Sequence, residues 1–284
     1  MNSMKLAYLG PPGTFTQQAA LLMQPLADAY PFANIRDVIY AIQRDEADAG
    51  VIPLENSTEG LVNTTVDTFI FDCNLYIQQQ IVVPITHNLM VREGNKGRQV
   101  EKVLSHYQAL AQCREYIAKH YPGAEIKPTS STAEAAKLVG QTEAPWAAIG
   151  TELAGKTYGL HFAATHIQDQ KNNETKFILV SKDCTCQPTG GQTLSIAFST
   201  HNKPGELYKV LSIFALLDVN MTSISSRPMK DANGQIKLGE HVFWVDLEVS
   251  RPEKDVEDAL TMVKRKVAFY KPLGCYDTTR EGAN

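Results

Sequence analysis

The chain has 284 residues, of which 43% are hydrophobic and 20% charged, and this predicts a folded globular protein with more than one domain. Its formal net charge of −4 excludes a protein that binds nucleic acid through a broad basic surface. No segment approaches the ~20 apolar residues that cross a bilayer, and the N-terminus lacks the pattern of a secretory signal, so we expect a cytoplasmic protein.

The five cysteines are dispersed and odd in number, a pattern that fits a reducing compartment better than a disulfide framework. Cys184 and Cys186 are separated by one residue, but no second pair stands at the spacing of a zinc site. We therefore interpret these two cysteines as part of an exposed loop, and we predict neither a metal site nor a cofactor.

Apolar runs that are typical of strands alternate with helical patterns over residues 5–181. The predicted strands are Lys5–Leu9, Ala49–Pro53, Leu75–Val83, Lys102–Ser105, Glu125–Thr129, Ala147–Ile149 and Lys176–Ser181. The predicted helices are Thr14–Met23, Asp37–Arg44, Leu61–Phe71, Ala109–His120 and Ala133–Val139. This alternation predicts an α/β domain with mostly parallel sheets.

The pattern changes after a segment rich in Pro, Gly and polar residues, which we predict to be a linker at 184–192. The strands predicted beyond it are Thr193–Ser199, Met221–Arg227, Glu240–Glu248 and Val267–Lys271, and the helices are Pro204–Leu217 and Pro252–Lys266. The order βαββαβ predicts a ferredoxin-like domain over residues 193–276, with a polar loop at Asn233-Gly234 and a tail at 277–284.

Four predicted helix starts share the spacing of a capping box, in which a Ser, Thr or Asn precedes a Glu or Gln by three residues. The pairs are Thr14 with Gln17, Asn56 with Glu59, Ser105 with Gln108, and Ser131 with Glu134. Each pair taken alone is most simply a helix cap. Together they follow predicted strands, where helix N-termini gather around a ligand crevice, so they favour a site for a small anion.

Other common sites are not indicated by the sequence. The loop Gly10–Gly13 lacks both a Gly-Lys-Ser/Thr ending and the G-x-G-x-x-G spacing, which argues against nucleotide binding. Neither G-x-S-x-G nor H-E-x-x-H occurs. His87 and His106 follow predicted strand ends, and we interpret both as structural.

Four segments in series resemble the successive motifs of the prephenate dehydratases: GPPGTF at 10–15, PLENSTEG at 53–60, Ser105-His106 through Gln112-Cys113, and NNETKF at 172–177. The C-terminal segment resembles the ACT domain that usually follows. The resemblance implies a two-lobed, periplasmic-binding-protein-like catalytic domain over 1–183, with lobe one at 1–80 plus 161–183, lobe two at 81–160, and the active site between them. It also implies a homodimer or homotetramer without a cofactor.

The implied activity is that of a carbon–oxygen lyase in phenylalanine biosynthesis, which converts prephenate to phenylpyruvate, CO2 and water. The resemblance places Thr175 at the leaving hydroxyl as a hydrogen-bond donor. It gives Asn56, Ser57, Ser105 and Gln112 as substrate-binding residues, to which the capping argument adds Thr14 and Ser131.

Four further positions near these motifs have two interpretations each. Glu55 either tunes the site or faces solvent. Phe177, like Phe15, either walls the substrate ring or packs in the core. Lys176 stands where the family usually has Arg, and it either touches substrate or, by strand alternation, points away from Thr175.

The ACT resemblance implies a regulatory phenylalanine site at Gly205, Leu207, Asn220, Ser226, Arg227 and Pro228. Glu206 and Ser225 depart from the family motifs, which have Ala and Glu there, and Glu206 adds a charge near the expected site. A dimerisation module without a ligand is the alternative for this domain. For the whole chain the alternatives are an arogenate dehydratase, in which Glu55 or Glu59 binds an ammonium group, and a non-catalytic amino-acid-binding regulator.

Overall fold

The computed structural model describes residues 3–170, 172–184, 192–231, 234–249 and 253–282. Within these ranges the strands form one sheet of ten strands and one of five. Helices alternate with strands along the chain, so the α/β prediction is confirmed. The prediction of mostly parallel sheets is wrong, because both sheets mix parallel and antiparallel pairs. No helix of the described residues is long and apolar enough to span a lipid bilayer.

The first segment supplies one end of the larger sheet. Its elements are β1 (Lys5–Leu9), α1 (Phe15–Met23), β2 (Asp28–Phe32), α2 (Ile35–Gln43), β3 (Ala49–Asn56), β4 (Gly60–Leu61), α3 (Asn63–Asp67), a π-helical turn (Thr68–Asp72) and β5 (Tyr76–Pro84). The helix predicted from Leu61 therefore begins later, because Gly60 and Leu61 pair with β3 as β4.

The second segment forms the smaller sheet, and we call residues 88–164 the second lobe. Its elements are β6 (Asn88–Arg92), a 3-10 turn (Glu93–Asn95), β7 (Lys102–His106), α4 (Tyr107–Gln112), α5 (Arg114–His120), β8 (Glu125–Thr129), α6 (Thr132–Gln141), β9 (Trp146–Gly150), α7 (Glu152–Thr157) and β10 (Leu160–Ala164). The single helix predicted at Ala109–His120 is interrupted at the buried Cys113.

The third segment returns to the larger sheet. Its elements are β11 (Glu174–Ser181), β12 (Gln192–Ser199), α8 (Glu206–Leu216), β13 (Met221–Lys230), β14 (Ile236–Val249), α9 (Glu253–Lys264) and β15 (Phe269–Arg280). From β12 onwards the order is βαββαβ, and we call residues 192–282 the C-terminal unit. Residues 185–191 of the predicted linker, with Cys186, and Asn233 of the predicted loop lie outside the described residues.

The larger sheet has the order β13-β14-β12-β15-β5-β11-β3-β1-β2, so it runs without interruption from the C-terminal unit into the first segment. The join is the parallel pairing of β15 with β5, in which Asp277–Arg280 lie opposite Gln79–Val82. The prediction of a tail from residue 277 is therefore wrong for these four residues. We call residues 3–84 together with β11 the first lobe.

The chain crosses between the lobes twice. β5 stays in the larger sheet to Pro84, and β10 pairs with β6 in the smaller sheet, so the crossings lie at residues 85–87 and 165–173. Both come later in the chain than the predicted boundaries after residues 80 and 160. The two crossings are tied together, because the Ile167 N–H donates to the His87 carbonyl at 2.9 Å.

The first lobe and the C-terminal unit share one hydrophobic core. Trp244 of β14 is 1% exposed, and its ring lies 6.0 Å from that of Phe69 in the π-helical turn. The Lys271 ammonium donates to the Phe69 carbonyl at 2.6 Å, which satisfies an acceptor in that turn. One face of the C-terminal unit's sheet therefore packs in the core of the first lobe, while its other face, covered by α8 and α9, has a hydrophobic core of its own.

The join between β15 and β5 depends on a glycine. Gly274 has a φ of +145°, and the Cβ of an alanine there would lie 2.8 Å from the Ile77 nitrogen and closer still to its carbonyl oxygen. We expect Gly274→Ala to lower the melting temperature by about 5–10 °C, because the backbone of either strand must move. Thermal denaturation followed by circular dichroism measures this.

Gly123→Ala is the matched control, since nothing lies within 4 Å of a Cβ at that position. It should leave the melting temperature within about 2 °C of wild type. Equal melting temperatures for Gly274→Ala and wild type would contradict the close approach of β15 to β5.

Candidate active site

A cleft of about 690 Å³ lies between the two lobes. Both lobes line it, the first through the start of α1, the end of β3 and the start of β11, the second through α4 and the start of α6. The predicted site residues that line the cleft are Thr14, Asn56, Gln112, Ser131, Thr175 and Phe177. Those that lie outside the lining are Glu55, Ser57, Ser105 and Lys176.

Two of the four predicted helix caps are confirmed. The Thr14 hydroxyl accepts the Gln17 N–H at 3.3 Å at the start of α1, and the Ser131 hydroxyl accepts the Glu134 N–H at 3.0 Å at the start of α6. Since both helices begin at the cleft, their remaining N–H groups and helix dipoles favour an anion there.

The other two predicted caps are wrong. Ser105 is the fully buried fourth residue of β7, and its hydroxyl donates to the Ile149 carbonyl at 2.6 Å. Asn56 ends β3 and is followed by a turn rather than a helix. Its side-chain oxygen accepts the N–H groups of Thr58 at 3.0 Å and Glu59 at 3.1 Å, so the capping interaction stabilises the turn into β4.

The Asn56 side chain is fully engaged by the protein. Its oxygen faces the turn, and its amide nitrogen therefore faces β11, where it lies 2.8 Å from both Thr175 Oγ1 and Asn173 Oδ1. An amide nitrogen only donates. Thr175 Oγ1 thus accepts from Asn56, which leaves the Thr175 hydroxyl hydrogen available for another acceptor in the cleft.

A second chain of contacts runs from Asn173 to the crossing. The amide nitrogen of Asn173 donates to Gln112 Oε1 at 3.0 Å, and His87 Nε2 lies 2.9 Å from the same oxygen. His87 and Asn173 are 3% and 5% exposed. Neither was predicted as a site residue, although Asn173 belongs to the motif at 172–177, because their partners are distant in the sequence.

Ser57 fixes the approach to β11. Its hydroxyl accepts the Glu174 N–H at 3.0 Å, and its own N–H donates to the Glu174 carbonyl at 2.9 Å. Ser57 therefore acts on the backbone just before Thr175, whatever contact it makes with a ligand.

Glu55 and Lys176 form an ion pair at 2.7 Å, with about a third of each side chain exposed. They are opposite one another in the β3–β11 pairing, one position away from Asn56 and Thr175, so they face the other side of the sheet. On that side lies Asp246 of β14, whose pKa is raised by burial. The charge of Lys176 lowers this pKa and the charge of Glu55 raises it. Lys176 thus points away from the cleft.

The lobes also touch away from the crossings. The Thr151 hydroxyl donates to the Gly13 carbonyl at 2.6 Å, and the Tyr158 hydroxyl donates to the Pro12 carbonyl at 2.9 Å. Both donors flank α7 in the second lobe, and both acceptors lie in the loop before α1. The width of the cleft is therefore fixed at two places.

The described lining of the cleft has no cationic side chain of lysine or arginine to attract an anion, so an anion there depends on neutral donors and helix N-termini. Glu59 contributes a carboxylate to that lining. Burial lowers the pKa of His87, an effect that the contact with Gln112 partly offsets, and burial also lowers the pKa of His106 against the influence of Glu59. Within the described ranges no three His, Cys, Asp or Glu side chains are grouped to hold a metal ion.

A second cavity of about 320 Å³ lies in the C-terminal unit at the start of α8. Gly205 and Leu207 of the predicted regulatory set line it, together with Glu206. The other predicted residues lie elsewhere. The Arg227 Nε donates to Asp67 at 2.8 Å in the first lobe, and the Asn220 amide donates to Glu248 at 2.8 Å.

Comparisons with known proteins identify the family of this chain. The sequence model of a family described as prephenate dehydratase matches residues 6–185. The bifunctional chorismate mutase/prephenate dehydratase of Aquifex aeolicus (strain VF5) is 41% identical over 276 residues, which cover 97% of this chain and 74% of that protein. The prephenate dehydratase of Lactococcus lactis subsp. cremoris (strain MG1363) is 39% identical over 250 residues, covering 86% of this chain and 87% of that one.

Solved structures give the same answer. The crystal structure of the prephenate dehydratase from Arthrobacter aurescens in complex with L-Phe has a TM-score of 0.85 and 34% sequence identity, and the match covers 96% of this chain and 90% of that one. The family match covers more than half of the chain and the relatives align over nearly all of it, and on these grounds the chain belongs to the prephenate dehydratase family.

Proposed function

We propose that this protein catalyses the decarboxylating dehydration of prephenate to phenylpyruvate, CO2 and water. The observation that carries the proposal is the contact between the Asn56 amide nitrogen and Thr175 Oγ1, at 2.8 Å. Because Asn56 is the donor in that contact, the Thr175 hydroxyl hydrogen is free to be donated to the oxygen that leaves the substrate.

The reaction breaks two bonds of the substrate ring. As the bond to the ring carboxylate breaks, its electron pair enters the ring, the ring becomes aromatic, and the carboxylate leaves as CO2. The opposite C–O bond breaks at the same time, and the oxygen leaves as hydroxide, which takes a proton from solvent to become water. A threonine hydroxyl is a weak acid at neutral pH, so Thr175 acts as an aligned hydrogen-bond donor that stabilises charge on this oxygen.

Neutral donors hold the substrate carboxylates in this proposal. The starts of α1 and α6 offer backbone N–H groups and the positive ends of helix dipoles beside Thr14 and Ser131. The Gln112 amide nitrogen has no protein partner among the described residues and adds a further donor. Several such contacts fix the ring relative to Thr175, which is the positioning that a unimolecular elimination needs.

Apolar side chains surround the reacting ring. Phe15, Ile85 and Phe177 line the cleft near Thr175, and Phe177 follows Thr175 by two residues on the same face of β11. These side chains exclude water from the leaving carboxylate. Loss of charge as CO2 is favoured where that charge is poorly hydrated.

Arogenate dehydration is the second candidate activity, because Glu59 lines the cleft and could pair with the ammonium group that arogenate carries in place of a keto oxygen. Phenylalanine release from arogenate, measured by chromatography, is compared with phenylpyruvate release from prephenate at the same substrate concentration. Faster turnover of arogenate than of prephenate would assign the chain to that reaction.

Regulation by phenylalanine is part of the proposal. The second cavity lies at the start of α8, where Gly205 has a left-handed backbone with a φ of +77°. The relative from Arthrobacter aurescens that was crystallised with L-Phe supports an effector of this kind. We propose that the C-terminal unit is an ACT regulatory domain and that L-Phe binds in this cavity.

We also propose a cytoplasmic homo-oligomer. Large apolar side chains of the C-terminal unit are exposed, with Leu238 at 95%, Leu216 at 75% and Tyr208 at 74%. Exposed apolar groups of this size favour burial against a second copy. Sedimentation of the purified chain distinguishes a dimer from a tetramer.

Removing the Thr175 hydroxyl tests the mechanism. We expect Thr175→Ala to lower kcat for prephenate at least about a hundredfold, because the leaving oxygen loses its donor. Thr175→Ser keeps the hydroxyl and should retain most of the activity. Phenylpyruvate release, read as ultraviolet absorbance in alkali, measures both. An alanine variant with near wild-type kcat would refute the role of Thr175.

The direction of the Asn56 contact has its own test. Asn56→Asp keeps an acceptor for the turn at residues 58–59 but replaces the donor to Thr175 by a second acceptor. The Thr175 hydroxyl then donates to residue 56, so we expect kcat to fall by about the same factor as in Thr175→Ala. Full activity in Asn56→Asp would show that Thr175 does not depend on this donor.

Glu206 should weaken feedback, because its carboxylate lies beside a cavity that must accept the carboxylate of L-Phe. We expect Glu206→Ala to lower the L-Phe concentration that halves turnover by about threefold, the size of an exposed charge interaction. Glu257→Ala in α9 removes the same charge away from the cavity and should leave that concentration unchanged. Weaker inhibition of Glu206→Ala would instead make Glu206 a partner of the L-Phe ammonium.

A further inference from the structure

His87 lies at the first crossing between the lobes and has no part in the mechanism above. Its backbone is fixed on both sides, since its N–H donates to Gln168 Oε1 at 3.1 Å and its carbonyl accepts the Ile167 N–H at 2.9 Å. Its ring is buried, meets Phe15 edge-on at 5.9 Å, and reaches Gln112 Oε1 through Nε2 at 2.9 Å. One imidazole thus contacts cleft residues of both lobes.

The direction of every hydrogen bond leading to His87 follows from two backbone groups. The N–H groups of Thr58 and Glu59 can only donate, so the side-chain oxygen of Asn56 faces them. The Asn56 nitrogen then donates to Asn173 Oδ1, and the assignment continues along the chain to Gln112.

At the next step the Asn173 nitrogen donates to Gln112 Oε1, which is therefore an acceptor. His87 Nε2 shares this oxygen and must carry a hydrogen. The neutral ring then has a bare Nδ1, and this buried atom has no hydrogen-bond partner among the residues that the structure describes. The Gln112 oxygen is thus held by two donors, and its nitrogen is the end left for the cleft.

We propose that His87 is a positioning residue that holds the Gln112 amide with its nitrogen towards the cleft, where it binds a carboxylate oxygen of the substrate. The inference rests on the proposed function. The two ends of a glutamine amide are nearly equal in size but opposite in hydrogen bonding. If the amide were reversed, its oxygen would face the substrate carboxylate and repel it. Its NH2 group would then face the N–H groups of His87 and Asn173, which are themselves donors.

The surroundings of His87 keep the ring neutral. Its partners Phe15, Gln112 and Gln168 are uncharged, and among the described residues no ion pair involves it. A proton on Nδ1 would make the buried ring a cation, and the new Nδ1–H would have no acceptor among the described residues. Both consequences are costly in a buried position. His87 therefore acts as a fixed N–H donor.

Steady-state kinetics with prephenate separate positioning from packing. We expect His87→Leu to raise KM about tenfold, the effect of one lost hydrogen bond, with kcat within about threefold of wild type. His87→Gln keeps an N–H that can reach Gln112 and should restore most of the loss. Equal KM values for His87→Leu and wild type, or a glutamine variant as impaired as the leucine variant, would overturn the proposal.

Asn88→Ala controls for a loosened crossing. Asn88 follows His87 in the chain, is 5% exposed and does not line the cleft. Its side-chain oxygen accepts the His166 N–H, and its amide nitrogen donates to the Gly150 carbonyl. It should lower the melting temperature and leave KM unchanged. A KM increase in Asn88→Ala equal to that of His87→Leu would mean that general loosening explains both.

A double-mutant cycle tests whether His87 acts through Gln112. In a Gln112→Leu background, His87→Leu should raise KM no further, because the amide that it orients is absent. Additive increases in KM would overturn the proposal.

The tautomer can be read without turnover. Nitrogen-15 spectra of histidine-labelled protein, with the His87 signals identified by their loss in His87→Gln, should show hydrogen on Nε2 and none on Nδ1 from pH 6 to 8. Hydrogen on Nδ1, or titration in this range, would overturn the inference. Failure of wild type to turn over prephenate would instead refute the proposed function, and the spectra would still report the orientation of the network.

Discussion

The antiparallel pairing of β3 with β11 is the constraint on which the cleft depends. Its register places Thr175 opposite Asn56 and Lys176 opposite Glu55, and the alternation of side chains sends the two pairs to opposite faces of the sheet. The hydrogen-bonded pair of Asn56 and Thr175 therefore faces the cleft, and the ion pair faces the C-terminal unit. A slip of one residue would exchange the two faces and also expose the buried Phe177, so core packing and site geometry enforce the same register.

Local pattern predicted several strands, and Lys5–Leu9 and Glu125–Thr129 agree with the prediction to the residue. β2 (Asp28–Phe32) was missed, although β8 is also a largely exposed edge strand that contains a proline and was predicted. The continuation of β15 was missed because the local sequence indicates a strand end. Pro272 and Gly274 indicate an end to the strand, whereas the partner strand β5, two hundred residues earlier, supplies new pairing.

The candidate site was predictable where both partners of a contact are close in sequence. Thr14 and Ser131 cap their helices as the three-residue spacing predicts. Ser105 has the same spacing but donates to the Ile149 carbonyl on β9, the neighbouring strand of the sheet, because a buried polar side chain needs a hydrogen-bond partner. His87 was interpreted as structural, because no local sequence pattern indicates its hydrogen bond with Gln112, which lies 25 residues later in the chain. The sheet pairing and the lobe crossing, which no single segment encodes, bring these residues together.

The absence of lysine and arginine from the described lining of the cleft accords with the chemistry proposed for it. Catalysis depends on binding the transition state more tightly than the substrate. A cation beside the ring carboxylate would stabilise the substrate most, since that carboxylate loses its charge as CO2 forms. Neutral amides, hydroxyls and helix ends can hold the substrate without this penalty, while Thr175 meets the oxygen on which charge develops. Pairing Lys176 with Glu55 on the far face of the sheet keeps the nearest cation in sequence away from the reacting carboxylate.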